Sequence, residues 1–253
     1  MADRPPRVLA IAGSDSSGGA GIQADIKTIT MLGGYAMTAI TALTAQNSRG
    51  VRAVEPCDAG FVAAQMDACM EDIGVDAVKI GMLGSADIAE VVADRLEDLP
   101  CPIVFDPVMV ATSGSVLADP ATVEVFEWLM ELATLTTPNV PELDVLGGAL
   151  RMAERDVTYL AKGGDAEGPM VEDRLVCPGM KDTVWTEARI VTKHTHGTGC
   201  TLSSAIATHL ARGLPLADAV SEGRKFVREA LKHAPGFGFG NGPLGHQAVR
   251  ITD

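Results

Sequence analysis

The sequence predicts an α/β protein in three layers, with a mostly parallel central sheet between two layers of helices and a β-hairpin at one edge. Short, continuously apolar segments alternate with segments in which apolar residues recur at helical spacing. Strands that are apolar throughout are typical of parallel sheets, because crossover helices cover such sheets on both faces. Two later segments, on either side of Pro178 and Gly179, instead alternate apolar and polar residues, which indicates a hairpin.

Each predicted element follows from local spacing. Residues 7–12 form an apolar run that ends at Gly13, and the apolar positions of residues 61–73 fall on one face of a helix. By these criteria we predict strands over residues 7–12, 35–43, 77–82, 103–106, 134–137 and 157–162, and a hairpin of residues 170–176 and 183–192. Helices are predicted over residues 22–32, 61–73, 87–96, 121–132 and 142–152, with two more beginning near residues 200 and 216 and an irregular glycine-rich tail at 236–245. Because no internal repeat or linker interrupts this series, residues 1–253 are expected to form one domain.

The composition argues against some classes of function. The chain has 20 Lys and Arg residues against 33 Asp and Glu residues, a net charge of −13, and the basic residues are scattered. Nucleic-acid binding is therefore not expected, whereas a small anion can still bind to backbone N–H groups. We expect a cytoplasmic protein without membrane contact, because the sequence has neither an apolar run of spanning length nor an apolar signal core at its start. The five cysteines are widely spaced, as in a reducing compartment, and four are expected to be small buried residues: Cys57, Cys69, Cys101 and Cys177.

The glycine-rich loop after the first strand is the first candidate site. Gly19, Gly21 and Ala24 satisfy the G-x-G-x-x-A pattern of dinucleotide-binding folds. The second strand, however, is followed by Gln46 and Asn47 rather than by the acidic residue that would bind a ribose. A tight turn without a ligand is a further alternative, and the sequence contains no G-x-x-x-x-G-K-[ST] phosphate loop.

A second glycine-rich turn, residues 194–200, precedes a helix. Glycines allow backbone N–H groups to point towards one site, and the helix N-terminus adds partial positive charge, so the turn is predicted to stabilise an oxyanion or a phosphoryl group in transfer. Cys200 lies at the predicted helix start, where the thiolate is favoured, and is a candidate base or nucleophile. The alternatives are a buried cysteine beside a plain helix cap, or zinc bound by His194, His196 and Cys200, for which no second ligand pair is present.

Four polar residues follow strands of the predicted sheet: Asp106, Asn139, Glu142 and Lys162. Ligands of such sheets bind beyond the carboxyl ends of the strands, and carboxylates beside a lysine and an anion site commonly hold magnesium and a polyphosphate together. Each residue also has a structural explanation, as a helix cap, a first-turn acid or a surface cation. Together the four predict a phosphotransferase.

The chain resembles the hydroxymethylpyrimidine kinase and phosphomethylpyrimidine kinase family of thiamine biosynthesis, in the ribokinase-like superfamily. The segments that carry the resemblance are residues 11–28, 40–47, 79–83, 106–109, 137–142, 162–164 and 194–201. They occur in order over nearly the whole chain, and the first and last of them, the last reading HTHGTGCT, are the most specific.

The resemblance implies a ribokinase-like fold, a homodimer, and two successive phosphoryl transfers from ATP with Mg²⁺. The acceptors would be the hydroxymethyl group of 4-amino-5-hydroxymethyl-2-methylpyrimidine and then its monophosphate. The resemblance assigns the pyrimidine pocket to Gly13, Ala20, Asp25, Thr44, Gln46, Met82 and Val108. It assigns the anion hole to Gly197, Thr198 and Gly199, the base to Cys200, the ATP contacts to Asn139, Lys162 and Thr198, and magnesium to Asp106 and Glu142.

Two features depart from the family pattern, and two other functions remain open. Asn139 and Lys162 are separated by 23 positions where the family fits an additional helix, so a surface helix is predicted to be missing. Asp165 follows the Lys-Gly-Gly sequence where a histidine is common. The alternatives are a pyridoxal or pyridoxine kinase, which shares the fold and the hydroxymethyl acceptor, and a ligand-binding protein of the same fold without catalysis.

Overall fold

The computed structural model describes residues 4–110, 114 and 116–250. Its strands are β1 (Arg7–Asp15), β2 (Tyr35–Asn47), β3 (Gly50–Pro56), β4 (Ala77–Ile80), β5 (Ile103–Phe105), β6 (Leu135–Thr136), β7 (Tyr159–Ala161), β8 (Met170–Val176) and β9 (Thr183–Ala188). Its α-helices are α1 (Gly21–Met31), α2 (Ala59–Ala68), α3 (Ala86–Leu96), α4 (Pro120–Leu132), α5 (Val140–Val145), α6 (Gly148–Glu154), α7 (Thr198–Ala211) and α8 (Leu216–Lys232). A π-helical turn, Cys69–Ile73, continues α2, and a 3₁₀ turn spans His246–Ala248.

The strands form one mixed sheet in the order β3-β2-β1-β4-β5-β6-β7-β8-β9. The six central strands, from β2 to β7, are parallel to their neighbours, whereas β3 at one edge and the hairpin β8–β9 at the other are antiparallel. Because the parallel strands all end at the same edge, the loops that follow them converge there. The predicted fold class and the edge hairpin are confirmed.

Two apolar cores lie on opposite faces of the sheet and account for the three layers. One packs alternate residues of β1, such as Leu9 and Ile11, against α2, α3 and α4. The other packs the intervening residues, Val8 and Ala10, against α1, α7 and α8. Side chains of a strand point alternately to its two faces, so a strand that is apolar throughout fits a sheet covered on both sides. Within the described residues, no helix is both long and apolar enough to cross a membrane.

Some of the predicted strand and helix boundaries, and the predicted burial of four cysteines, are wrong. The edge strand β3 is not predicted, because five of its seven residues are exposed and it lacks an apolar run. The helix predicted over residues 142–152 is two short helices, α5 and α6, since Gly147, the N-cap of α6, and Gly148, its first residue, adopt positive φ values of 90° and 72°. The last strand ends at Ala188 rather than at Thr192. The four cysteines expected to be buried are only partly buried at the margins of the cores: Cys57, Cys69, Cys101 and Cys177.

Candidate active site

A cavity of about 700 Å³ opens at the edge of the sheet where the parallel strands end. It is large enough for a small ligand, since ligand pockets span roughly 300–1,000 Å³. All but one of the predicted site residues line it: Gly13, Ala20, Thr44, Gln46, Met82, Asp106, Val108, Asn139, Glu142, Lys162, Gly197, Thr198, Gly199 and Cys200. The two glycine-rich loops and the polar strand ends are therefore brought together.

The two glycine loops touch through their backbones. Gly197 has a φ of 92°, and a Cβ placed there would lie 1.9 Å from the carbonyl oxygen of Gly19. Only glycine fits this combination of left-handed backbone and close approach. Gly197 is the N-cap of α7, and no side chain caps the helix there. The N–H group of Thr198 donates to the Thr195 carbonyl at 3.3 Å, and the N–H groups that follow it, which no side chain caps, can bind an anion at the cavity wall.

Asp15 and His196 join these loops; the sequence offered His196 only as an alternative zinc ligand and did not single out Asp15. The Asp15 carboxylate accepts hydrogen bonds from the N–H groups of Ser17, Gly19 and Ala20 at 2.8–3.0 Å and lies 2.8 Å from His196 Nε2. Burial alone would raise the pKa of Asp15, but the hydrogen bonds from His196 and Ser17 outweigh burial and lower it to about 2. Asp15 is thus an ionised carboxylate that forms hydrogen bonds with both glycine-rich loops.

Asp106 and Lys162 form an ion pair beside the start of α7. Lys162 Nζ lies 2.7 Å from Asp106 Oδ1, which also accepts a 3.0 Å hydrogen bond from the Thr137 hydroxyl. Burial would raise the pKa of Asp106, but Lys162 and Lys79 lower it below its usual value. A Cβ placed at Gly199 would lie 3.3 Å from Asp106 Oδ2 and 3.4 Å from Lys162 Nζ. The ion pair therefore adjoins the N–H groups of α7.

Glu142 is held by a capping box at the start of α5. Its Oε2 accepts the Asn139 N–H at 2.8 Å, and its own N–H donates to Asn139 Oδ1 at the same distance. Burial raises the pKa of Glu142 to about 7; Lys162, 3.9 Å away, opposes this rise and Asp106 adds to it. Glu142 is therefore a carboxyl that gains or loses a proton near neutral pH, next to the Asp106–Lys162 pair.

The two carboxylates fit a magnesium ion that is shared with phosphates. Magnesium prefers oxygen ligands and is usually held by one or two carboxylates together with water and substrate phosphates. Asp106 Oδ2 accepts neither the Thr137 nor the Lys162 hydrogen bond, and the Glu142 carboxyl, held by the backbone N–H groups of Asn139 and Met109, keeps further oxygen lone pairs for a metal. The described part of the chain has no cluster of three His, Cys, Asp or Glu side chains that would enclose a metal by itself. The donor set therefore suits Mg²⁺ bound with a polyphosphate.

Cys200 lies at the start of α7, as predicted, but its thiolate is not favoured. Burial, together with the nearby carboxylates of Asp25 and Asp106, raises the pKa of the Cys200 thiol to about 11. Lys79 and the Gly21 N–H favour the thiolate but are outweighed. The sequence shows the helix start but not the burial of the thiol, which is the main cause of the raised pKa, so the predicted direction of the shift is wrong.

Asp25 is the predicted pocket residue that does not line the cavity. It is completely buried, and Lys79 Nζ donates to both of its carboxylate oxygens at 3.0 Å. Ser204 of α7, one turn after Cys200, donates to Asp25 Oδ1 at 2.7 Å. Because its oxygens are taken up within the protein, Asp25 supports the wall of the cavity rather than facing a ligand.

The end of the cavity formed by β1 and β2 combines apolar and polar walls. A Cβ placed at Gly13 would lie 2.5 Å from Met82 Cε, so Met82 packs directly on the first glycine loop. The Thr44 hydroxyl donates to the Ser14 carbonyl at 2.9 Å, and the Gln46 carboxamide lies between Thr44 and His196. An apolar pocket with a few fixed polar groups is typical of a small-ligand site.

A second network, only partly buried, supports the opposite end of the cavity, and the sequence gives no signal for it. Arg224 of α8 donates to Asp173 Oδ2 at 2.7 Å and pairs with Glu187 at 2.9 Å. Asp173 Oδ1 in turn accepts the N–H of Gly163 at 2.9 Å. Gly163 follows Lys162, so this network fixes the loop that carries the lysine.

An uncapped helix start, an adjoining lysine–carboxylate pair and a cavity at the carboxyl edge of a parallel sheet define the class of protein, a phosphotransferase. The sequence model of the family named phosphomethylpyrimidine kinase matches residues 15–245. The chain belongs to this family.

Sequence relatives agree with the family. A hydroxymethylpyrimidine/phosphomethylpyrimidine kinase of Rhizobium meliloti is 44% identical over 255 residues, which cover 94% of this chain and 96% of that protein. A thiamine biosynthesis multifunctional protein ThiED of Corynebacterium efficiens is 44% identical over 264 residues. That match covers 96% of this chain but only 35% of the Corynebacterium protein, so the chain spans about a third of that relative's length.

Solved structures share the fold. Pyridoxal kinase of Bacillus subtilis, in a complex with ADP, superposes with a TM-score of 0.87 at 33% identity and covers 98% of this chain and 100% of its own. Phosphomethylpyrimidine kinase of Clostridium difficile 630 gives a TM-score of 0.75 at 38% identity and covers 89% of this chain and 99% of its own. The ribokinase-like kinase fold is thereby established.

Proposed function

We propose that this kinase transfers the terminal phosphoryl group of ATP to the hydroxymethyl group of 4-amino-5-hydroxymethyl-2-methylpyrimidine, and then phosphorylates the resulting monophosphate. The observation that carries the proposal is the meeting, in one cavity, of the uncapped start of α7, the Asp106–Lys162 pair and Gln46. The identity to named hydroxymethylpyrimidine/phosphomethylpyrimidine kinases supports the same substrate.

The acceptor ring occupies the end of the cavity lined by both glycine-loop and β2 residues. Met82 and Val108 provide apolar walls for the ring faces, and the Gln46 carboxamide hydrogen-bonds the ring edge. Gly13 and Ala20 lie at the same end and leave room for the ring, while Thr44 holds the Gln46 side chain. This places the hydroxymethyl group towards α7.

The transferring phosphoryl group lies against the start of α7. The N–H groups of Gly197, Thr198 and Gly199 stabilise charge that develops on its oxygens, and Lys162 binds the ATP phosphates from the other side. Asn139 lies within reach of the same phosphates. Asp106 and Glu142 would hold Mg²⁺, which supplies charge neutralisation between the phosphates. Transfer through such a loose transition state depends mainly on positioning and electrostatics.

Cys200 is the residue that takes the hydroxyl proton in this proposal. Cys200 lines the cavity at the helix start, where the hydroxymethyl oxygen would attack the phosphoryl group. Since the raised pKa keeps most of the enzyme in the thiol form at neutral pH, only the small thiolate fraction accepts the proton.

Pyridoxal or pyridoxine phosphorylation is a second candidate, favoured by the TM-score of 0.87 to a pyridoxal kinase. Both acceptors carry a hydroxymethyl group on a six-membered ring, so the phosphate end of the cavity does not distinguish them. The ring edge does distinguish the two acceptors, because a site whose polar groups match the donors and acceptors of one ring rejects a ring with a different arrangement of them.

The test is ADP release from ATP and magnesium with the aminopyrimidine alcohol, its monophosphate and pyridoxine offered separately. Turnover of both pyrimidines, with much slower turnover of pyridoxine, is the expected result. Cys200→Ala should lower kcat by about 10²- to 10⁴-fold, the range of general-base catalysis, while the control Cys177→Ala stays within a few-fold of the parent. Turnover of pyridoxine alone would overturn the proposed substrate.

The assembly and the location in the cell complete the proposal. We propose a cytoplasmic homodimer, following the family resemblance; the mostly exposed edge strand β3 leaves one side of the sheet open to a second subunit. Sedimentation velocity at micromolar concentration should give twice the mass of the 26.3 kDa chain, and a single species of that chain mass would contradict it.

A further inference from the structure

The loop that follows Lys162 reaches the cavity outside the regular strands. Residues 163–168, which we call the lysine loop, connect β7 to β8, and residues 164–168 are exposed. Gly164 and Asp165 of this loop line the cavity. The N–H group of Lys162 itself donates to the Pro138 carbonyl at 2.9 Å, which ties the start of the loop to the end of β6. An exposed loop keeps one conformation only where further contacts hold it.

Arg189, which directly follows β9, holds the far part of the lysine loop. Its Nε donates to the Gly168 carbonyl at 2.8 Å, and its Nη1 donates to the Gly164 carbonyl at 2.7 Å. Its Nη2 donates to the carbonyl of Ala166. The planar guanidinium has its N–H groups in a fixed arrangement, so three carbonyls that converge on it hold the loop in one shape.

Arg224 of α8 holds the near part of the loop through Asp173. Asp173 Oδ1 accepts the Gly163 N–H at 2.9 Å, and its Oδ2 accepts the Arg224 Nε–H at 2.7 Å. The side chains of Arg224 and Asp173 are only 7% and 11% exposed. A Cβ placed at Gly163 would lie 1.9 Å from the Glu172 carbonyl oxygen, so this part of the loop is pressed against β8. Arg224 therefore fixes the peptide that follows Lys162.

The position of the Lys162 side chain depends on these backbone contacts. Its Nζ lies 2.7 Å from Asp106 Oδ1 and 3.9 Å from Glu142 Oε2. A shift of the lysine loop would move Nζ relative to these carboxylates and to a phosphate bound beside them. A misplacement of about 1 Å can cost about 10²-fold in rate. The placement of the loop is thus important for the nucleotide.

We propose that Arg189 and Arg224, the latter through Asp173, are positioning residues that hold Lys162 in place for the phosphates of the nucleotide. Both arginines line the cavity, so a direct contact with the nucleotide is the alternative. Each nitrogen of the Arg189 guanidinium already donates to the lysine loop, and Arg224 is taken up by Asp173 and Glu187. These bonds favour the indirect role. The inference rests on the proposed function, which places the phosphates at Lys162.

The test compares a ligand that carries phosphates with one that carries none. Calorimetry measures the dissociation constants of the β,γ-methylene analogue of ATP, with magnesium, and of adenosine. Arg189→Met and Arg224→Met should each weaken binding of the ATP analogue by about 5- to 20-fold, since Lys162 loses part of its charged hydrogen bonding to the phosphates. Adenosine binding should hardly change. In turnover, KM for ATP should rise while KM for the acceptor stays the same.

The control is Arg174→Met on the same hairpin. Arg174 is next to Asp173 in the sequence, but its side chain is 48% exposed in its pairs with Glu172 and Asp182. Such exposed pairs contribute little, so this variant should change neither dissociation constant by more than about twofold.

A double-mutant cycle with Lys162 tests whether the arginines act through the lysine. In a Lys162→Met background, Arg189→Met and Arg224→Met should weaken the ATP analogue no further. Equal weakening of the analogue and of adenosine, or the full loss again in the Lys162→Met background, would overturn the inference. Arg189→Met gives this result even where Arg224→Met does not fold, because the hydrogen bonds of Arg189 go to carbonyls of an exposed loop.

Failure of the proposed function would be distinguishable from failure of this inference. Both dissociation constants are measured without an acceptor. A parent enzyme that binds the ATP analogue but does not phosphorylate the aminopyrimidine alcohol would contradict the proposed acceptor. The difference between the analogue and adenosine in the two arginine variants would still decide the role of Arg189 and Arg224.

Discussion

Replacing Lys79 by Met should destabilise the protein severely, because it leaves the Asp25 carboxylate without its cation. Lys79 and Asp25 are both completely inaccessible and lie 3.0 Å apart. Removing one partner of a buried ion pair costs about 3–5 kcal/mol. Total stabilities are about 5–15 kcal/mol, so the variant should lose a large part of its free energy of unfolding.

The loss should also depend on pH, in a direction that identifies its cause. Burial already raises the pKa of Asp25, and Lys79 opposes that rise. Without Lys79 the folded state keeps Asp25 protonated, whereas the unfolded state ionises it near its ordinary value of 3.8. The folded variant then binds more protons, so its stability should fall by about 1.4 kcal/mol per pH unit above roughly pH 4.

Chemical denaturation of the parent, Lys79→Met and Lys79→Met with Asp25→Asn measures this. The double variant removes both charges and should recover at least half of the loss and most of the pH dependence. Lys225→Met is the control, since Lys225 is 65% exposed in its pair with Glu222 and should contribute less than about 1 kcal/mol. A Lys79→Met variant within about 1 kcal/mol of the parent at pH 7 would refute the reasoning.

Three further predictions concern the site and its supports. Gly197→Ala should lower kcat/KM at least tenfold, because the added Cβ would collide with the Gly19 carbonyl oxygen. The control is Gly213→Ala, which also has a positive φ but has open space around it. This control should show only mild destabilisation in thermal melts. Since the Cys200 pKa is about 11, kcat should rise with pH from 6 to 9, and Cys200→Ala should flatten that profile. Burial lowers the pKa of His246 from 6.5 to about 4, so the free energy of unfolding should fall as pH drops through this window, and His246→Gln should remove that slope in denaturation experiments.

The cluster of polar residues at the edge of the sheet could be predicted because parallel strands all end at the same edge and bring the residues that follow them together. Asp106 and Lys162 are 56 positions apart, yet each directly follows an apolar strand, so the carboxyl edge of the sheet brings them to 2.7 Å. The glycine-rich turn before α7 could also be predicted from local sequence, because residues at helical spacing follow it directly. Strand and helix patterns therefore carry information about the site as well as the fold.

The supporting contacts could not be predicted, because they depend on side chains that meet across the fold. His196 and Asp15 are 181 positions apart and Arg224 and Asp173 are 51 apart, and no local pattern links them. The burial of the Cys200 thiol also explains why the predicted direction of its pKa shift was wrong. Burial outweighs the helix dipole, and no local pattern in the sequence shows how deeply the thiol is enclosed.

The most direct test of the central claim is ³¹P NMR of one reaction containing the enzyme, ATP, magnesium and the aminopyrimidine alcohol. We expect a new phosphomonoester signal to appear first, followed by its conversion into two coupled diphosphate signals as ADP accumulates. Cys200→Ala should leave both steps slow. Inorganic phosphate as the only new signal, or no new signal beside active transfer to pyridoxine, would contradict the account.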